Sequence, residues 1–161
     1  KIAENDQFFA FLDIFPLVEG HVLVVPKTEV DKLFDVPDEF LAEWLVFAKP
    51  IAHAIEKAFD CKRCGISVIG LEVPHAHMHL LPIHSSNDLN FTRPKLKCSG
   101  EELKAAQQKI LAKLVNDQPE AHTMDRFQHD PRIGFEMFAE FGNENIHAAA
   151  QEIIVFSPYM Q

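Results

Sequence analysis

The chain has 161 residues, 47% of them hydrophobic, with 15 Lys and Arg against 24 Asp and Glu. One domain's worth of length with ordinary apolar content excludes a multidomain machine, a disordered chain and a collagen-like one. A formal net charge of -9 repels polyphosphate backbones and anionic membrane surfaces, so neither a nucleic-acid polymer nor a membrane is an expected partner.

Gln7 to Ile14 (QFFAFLDI) is aromatic and β-prone, His21 to Pro26 (HVLVVP) is β-branched, and Pro16 and Gly20 punctuate the gap. A hairpin is expected there. A helix is signalled from Pro37, with Phe40, Leu41, Trp44, Leu45, Ala48, Ile51, Ala52 and Ile55 at helical spacing. Pro50 lies inside it and is expected to kink or divide it. Gly65 to Gly70 reads as a short buried strand and Val73 to Ile83 as another, with Gly70 in the turn between them. Asn87 to Pro94 is turn-rich. A second helix follows from about Ser99, where Ser99 and Glu102 form a capping box and Leu103, Ile110, Leu111 and Leu114 make the apolar stripe. Beyond Asn116 the period is lost, and residues 117–161 read as a C-terminal extension, with a terminal helix, or a helix and a strand, expected within Asn145 to Phe156.

The informative stretch is His75-Ala76-His77-Met78-His79-Leu80-Leu81. Successive side chains of a strand point to opposite faces, which places three imidazoles on one face at roughly 6.5 to 7 Å intervals, with Ala76, Met78 and Leu80 toward the core. A polar strand face that merely carries histidines is the bland alternative. Two chemistries use such a row. His-x-His is a frequent ligand pair for zinc, completed from elsewhere. A neutral imidazole also attacks phosphorus while neighbouring rings hold charge near neutral pH. A further histidine, His21, opens the second predicted strand and bears on the choice.

Asp13-Ile14-Phe15-Pro16 with Gly20-His21-x-Leu23-Val24-x-Pro26-Lys27, followed by Gly70-x-x-Val73-x-His75-x-His77-x-His79-Leu80-Leu81-Pro82, resembles the histidine triad (HIT) superfamily and its bacterial members. The resemblance covers roughly residues 1–115. It implies an α+β fold, an antiparallel meander with a helix packed on one face, and a homodimer whose sheets join into one. It implies a purine nucleotide substrate cleaved at the α-phosphate, with AMP released from phosphoramidates, aminoacyl adenylates or dinucleoside polyphosphates. On that resemblance His77 is the nucleophile, His79 contacts the phosphate or leaving group, His75 orients His77 through its backbone carbonyl, and His21 supports the site. Asp13 and Ile14 belong to the ribose and base pocket. No cofactor is implied and no Mg²⁺ site is required. Where members often carry Asn or Gln, and Ser or Thr, this chain has Cys64 and Glu72, which makes both candidate substrate contacts and points Glu72 toward an amine-bearing leaving group.

The remaining candidates are weaker. Cys61-Lys62-Arg63-Cys64 is a lone CxxC with no matching second pair, and three cysteines fit a reducing compartment better than a disulfide framework. Lys27 is a phosphate ligand or half of an ion pair; His53 and His84 read as a helix face and a turn. No run approaches the ~20 apolar residues of a bilayer crossing and no charged-then-apolar leader opens the chain, so a cytosolic protein is expected. The chain starts at Lys1 without an initiator Met, so a trimmed start is expected. A His-rich metal protein and a nucleotide-binding module without turnover are the alternatives to an enzyme.

Overall fold

The computed structural model describes residues 1–114. Five strands, β1 (Ala3–Glu4), β2 (Phe8–Leu12), β3 (Val22–Pro26), β4 (Arg63–Ser67) and β5 (Met78–Ile83), form one antiparallel sheet in the order β1-β2-β3-β5-β4. Two helices, α1 (Asp38–Ala58) and α2 (Gly100–Leu114), complete an α+β fold.

Register decides which side chains meet. Ala10 opposes Val24, Val24 opposes Met78, and Val22 opposes Leu80, so these residues share one face. All are buried against Trp44, Ala48, Ile51 and Ile55 of α1. Phe8 anchors that layer, its ring 4.9 Å from Phe40, 5.5 Å from Phe47 and 6.2 Å from Trp44. The other face follows by alternation: Phe11 opposes Leu23, and Leu23 opposes His79. The sheet therefore separates an apolar, helix-covered side from a side that carries the histidines.

The hairpin forms where expected. Gly20 takes φ +86, and a Cβ there would collide with the Phe59 ring, so both backbone and packing call for glycine just before His21. The Ser99 capping box forms as well: Ser99 Oγ accepts from Glu102 N–H at 3.2 Å, and the Glu102 carboxylate accepts from Ser99 N–H at 2.7 Å.

Of the two outcomes expected at Pro50, division is excluded, since helix α1 runs through it as one element, and two strand expectations are corrected. The carbonyl left without an N–H partner is that of Val46, an exposed residue, so water can serve it. The strand expected at Gly65 to Gly70 lies at Arg63–Ser67, because its pairing with β5 runs from Arg63 opposite Ile83 to Ser67 opposite His79, near the start of β5. The strand expected from Val73 begins only at Met78, and residues 71–75 form a bend. The C-terminal extension and its terminal element lie outside the described residues. Among the described residues no helix is long and apolar enough to cross a membrane.

Candidate active site

The chain enters β5 through His75-Ala76-His77. The Ala76 amide donates to the Val30 carbonyl at 2.7 Å and its methyl is buried, which pins this approach to the sheet. The His75 ring does not join its neighbours in a row: its Nε2 lies 2.9 Å from the Pro26 carbonyl at the end of β3. What His75 gives the site is its own backbone carbonyl, 2.7 Å from Nδ1 of His77. A carbonyl only accepts, so Nδ1 of a neutral His77 carries the proton and Nε2 keeps a free lone pair.

His79 and His21 form a second unit. The Leu17 amide donates to His21 Nδ1 at 3.3 Å, and His21 Nε2 lies 2.9 Å from His79 Nδ1. An accepting Nδ1 places the His21 proton on Nε2, where it is donated to His79, and that leaves His79 with its own proton on Nε2. Both rings are buried. Burial pushes the His21 imidazole down to about 4 against the opposing pull of Asp13, and burial, then His21, pushes His79 down to about 3. The rings of His77 and His79 stand 4.8 Å apart, edge to face. One nitrogen base, held by a backbone carbonyl, and one N–H donor, held by the His21 ring, thus stand side by side.

These burials tie stability to pH. Each folded-state value lies below the about 6.5 of a histidine in an unfolded chain, so acid is taken up first by the unfolded state. Their stabilising effect is complete above about pH 6.5 and is lost as pH falls toward 4. Urea titrations should show a chain about 4 kcal/mol less stable at pH 5 than at pH 7, roughly 2 kcal/mol from each ring, and a flat response over that range would contradict neutral, buried rings.

Asp13 joins this cluster, its Oδ2 3.5 Å from His21 Nδ1 and its Oδ1 accepting from the Phe15 amide at 2.8 Å. Ile14 and Phe15 project from the same turn, both more than half exposed. Phe9 and Phe11, rings 5.4 Å apart, lie on the histidine face. Their alternation with Asp13 is visible in the sequence, yet sequence reasoning assigned them only to a strand. Phe91 was missed entirely. It sits edge-on to His79 with ring centroids 4.7 Å apart and 6.4 Å from His21. No periodic signal marks it.

Two candidate substrate contacts stand elsewhere. Cys64 opposes Pro82, on the face shared with Leu80, and it packs against the hydrophobic core. It is on the opposite side of the sheet from His79, and burial pushes its thiol up to about 12, so it stays protonated. Glu72 is exposed in the 71–75 bend and, among the described residues, bonds to none of the histidines. Lys27 is ion-paired with Glu4 at 2.7 Å.

Asp13, His21 and His79 offer ligand atoms within 4.8 Å of one another. The 2.9 Å between the two imidazole nitrogens is a hydrogen-bond distance. Tetrahedral zinc holds its nitrogens about 3.3 Å apart, so a metal there would have to break this bond. The trio read from the sequence, with His75 as the third ring, does not converge.

The sequence model of the HIT domain family matches residues 1–86. Adenosine 5'-monophosphoramidase HNT1 of Saccharomyces cerevisiae is 34% identical over 116 residues, covering 71% of this chain and 73% of that protein. The asymmetrical bis(5'-nucleosyl)-tetraphosphatase of Schizosaccharomyces pombe is 32% identical over 92 residues, 52% of this chain and 50% of that protein. The crystal structure of a HIT-like protein from Bartonella henselae superposes with a TM-score of 0.58 at 26% identity, over 70% of this chain and 84% of that one. By its motif, its fold and these similarities, the chain belongs to the HIT domain family.

Proposed function

We propose that the chain is a nucleotide hydrolase or nucleotidyl transferase that cleaves a purine nucleotide at the α-phosphate through a covalent intermediate on His77. The observation that carries this is the His75 carbonyl on Nδ1 of His77, which leaves Nε2 as a fixed, unprotonated nucleophile. The names of relatives as a monophosphoramidase and a tetraphosphatase support the substrate class.

In the first step Nε2 of His77 forms a bond to the α-phosphorus while the bond to the leaving group breaks on the far side. The attacking ring becomes an imidazolium, and the His75 carbonyl, still accepting from Nδ1, stabilises the positive charge. The Nε2–H of His79 donates to a phosphate oxygen as negative charge builds there. Neutral His79 has a single ring proton and keeps it, so a leaving amine takes its proton from solvent. In the second step water attacks the phosphorus, the P–N bond breaks, the water's proton passes to solvent, and AMP leaves with His77 neutral again. Asp13 accepts from ribose hydroxyls, with Ile14, Phe9 and Phe11 offering apolar surface to the base. A homodimer joined through β4 is supported by that strand's place at the sheet edge and by Ile66, which is 50% exposed on it.

The purified chain should release AMP from adenosine 5'-phosphoramidate or from a dinucleoside tetraphosphate, and EDTA should leave the rate unchanged. Loss of activity with EDTA would favour the metal-protein reading. AMP binding without any product would favour a binding module that has lost turnover.

A further inference from the structure

We propose that Lys95 is a specificity-determining residue of this site, holding the phosphates beyond the α-phosphate and so favouring substrates with an oligophosphate leaving group. The proposal rests on the catalytic reading above and goes beyond it by naming the leaving group's chemical class. The geometry is a chain of neighbouring contacts. From the His77 ring the next contact is His79 at 4.8 Å, then Phe91 at 4.7 Å, and over the Phe91 ring stands the Lys95 ammonium, 5.3 Å from its centroid. A leaving group that extends from His77 past His79 and Phe91 comes within reach of Lys95.

This placement is built by the backbone. The Asp88 carboxylate accepts from the His84 and Ser85 amides, both at 2.9 Å, and closes the turn after β5. Arg93 is held by the Asn87 carbonyl at 3.1 Å and by Asp88 at 3.4 Å, which fixes the loop on either side of Phe91. The Leu96 amide donates to the Pro16 carbonyl at 2.8 Å, tying Lys95 to the loop that precedes His21. Lys95 forms no ion pair with a carboxylate among the described residues, whereas Arg93 and Lys27 are already committed. Its charge reaches the site, since it disfavours protonation of both His21 and His79.

The chemistry asks for such a cation. The chain is acidic overall, with a net charge of -9, and the catalytic rings act as neutral donors and acceptors. An oligophosphate also departs as an anion and needs no proton, whereas an amine must draw one from solvent. A lysine on a flexible stem suits a chain of phosphates of variable length.

The test is binding of AMP and of α,β-methylene-ATP, whose bridge resists cleavage, to the wild-type chain, Lys95→Ala and Lys95→Arg by calorimetry. The wild-type chain should prefer the ATP analogue; Lys95→Ala should lose about five- to tenfold for the analogue with AMP affinity within about twofold, and Lys95→Arg should keep most of the preference. Raising the salt to about 0.5 M should shrink the difference between wild type and Lys95→Ala. Equal losses for both ligands, or no loss, would overturn the role of Lys95 while leaving the catalytic reading intact. Failure of the wild-type chain to bind either nucleotide would overturn both.

Discussion

Replacing His77 by Ala is expected to cut AMP release by at least about three orders of magnitude, with the fold retained. The expectation follows from where the ring's hydrogen bonds go. His77 is half-buried and its bond is to the carbonyl of a neighbour two residues away, so its removal leaves no distant group stranded. On the proposed mechanism its loss removes the atom that bonds to phosphorus, which no nearby side chain replaces: Nδ1 of His79 is engaged by His21, and its Nε2 carries a proton. Steady-state assays on a variant with an unchanged melting temperature check this, and residual activity above about a tenth of wild type would place the nucleophile elsewhere.

The second large effect is at His79. His79→Phe keeps an aromatic ring against Phe91 and removes the N–H proposed to donate to the phosphate, so kcat is expected to fall about 100- to 1,000-fold with KM changed only a few-fold. His79→Gln supplies an amide donor and should recover part of the loss. The split between kcat and KM is the decisive readout, because a donor that matters chiefly as charge develops on the phosphoryl oxygens acts on the transition state. A matching rise in KM with kcat unchanged would make His79 a ground-state contact instead. His21 acts one step further back, as the donor that fixes which nitrogen of His79 is protonated.

Much of this was legible in the sequence because the relevant signals are local and periodic. The α1 stripe, the capping box at Ser99 and the Ala76-Met78-Leu80 alternation each follow from spacing along one element; Trp44, Ala48, Ile51 and Ile55 of the stripe are buried as the spacing implies, whereas Leu45 is exposed. A place for His21 in the site was legible only through the family resemblance, and its pairing with His79 was not legible at all, since register between β3 and β5 is a tertiary property. The His75 ring was misjudged for a physical reason. The extended row requires a regular strand, but the chain bends over residues 71–75 and β5 starts at Met78, so the ring turns to the Pro26 carbonyl. Cys64 was misplaced because its face depends on pairing with Pro82. Phe91 and Lys95 sit in a loop whose path is set by the Asp88 turn and the Leu96 to Pro16 bond, contacts between residues that no short period links.

The most direct measurement is a single turnover with nucleotide labelled in the adenosine moiety, quenched in alkali because the histidine P–N bond is acid-labile, followed by peptide mapping. The account predicts a transient nucleotidyl group on His77 that forms before free AMP and is absent from His77→Ala. Label on another residue, or AMP formed by His77→Ala at the wild-type rate with no adduct, would contradict it.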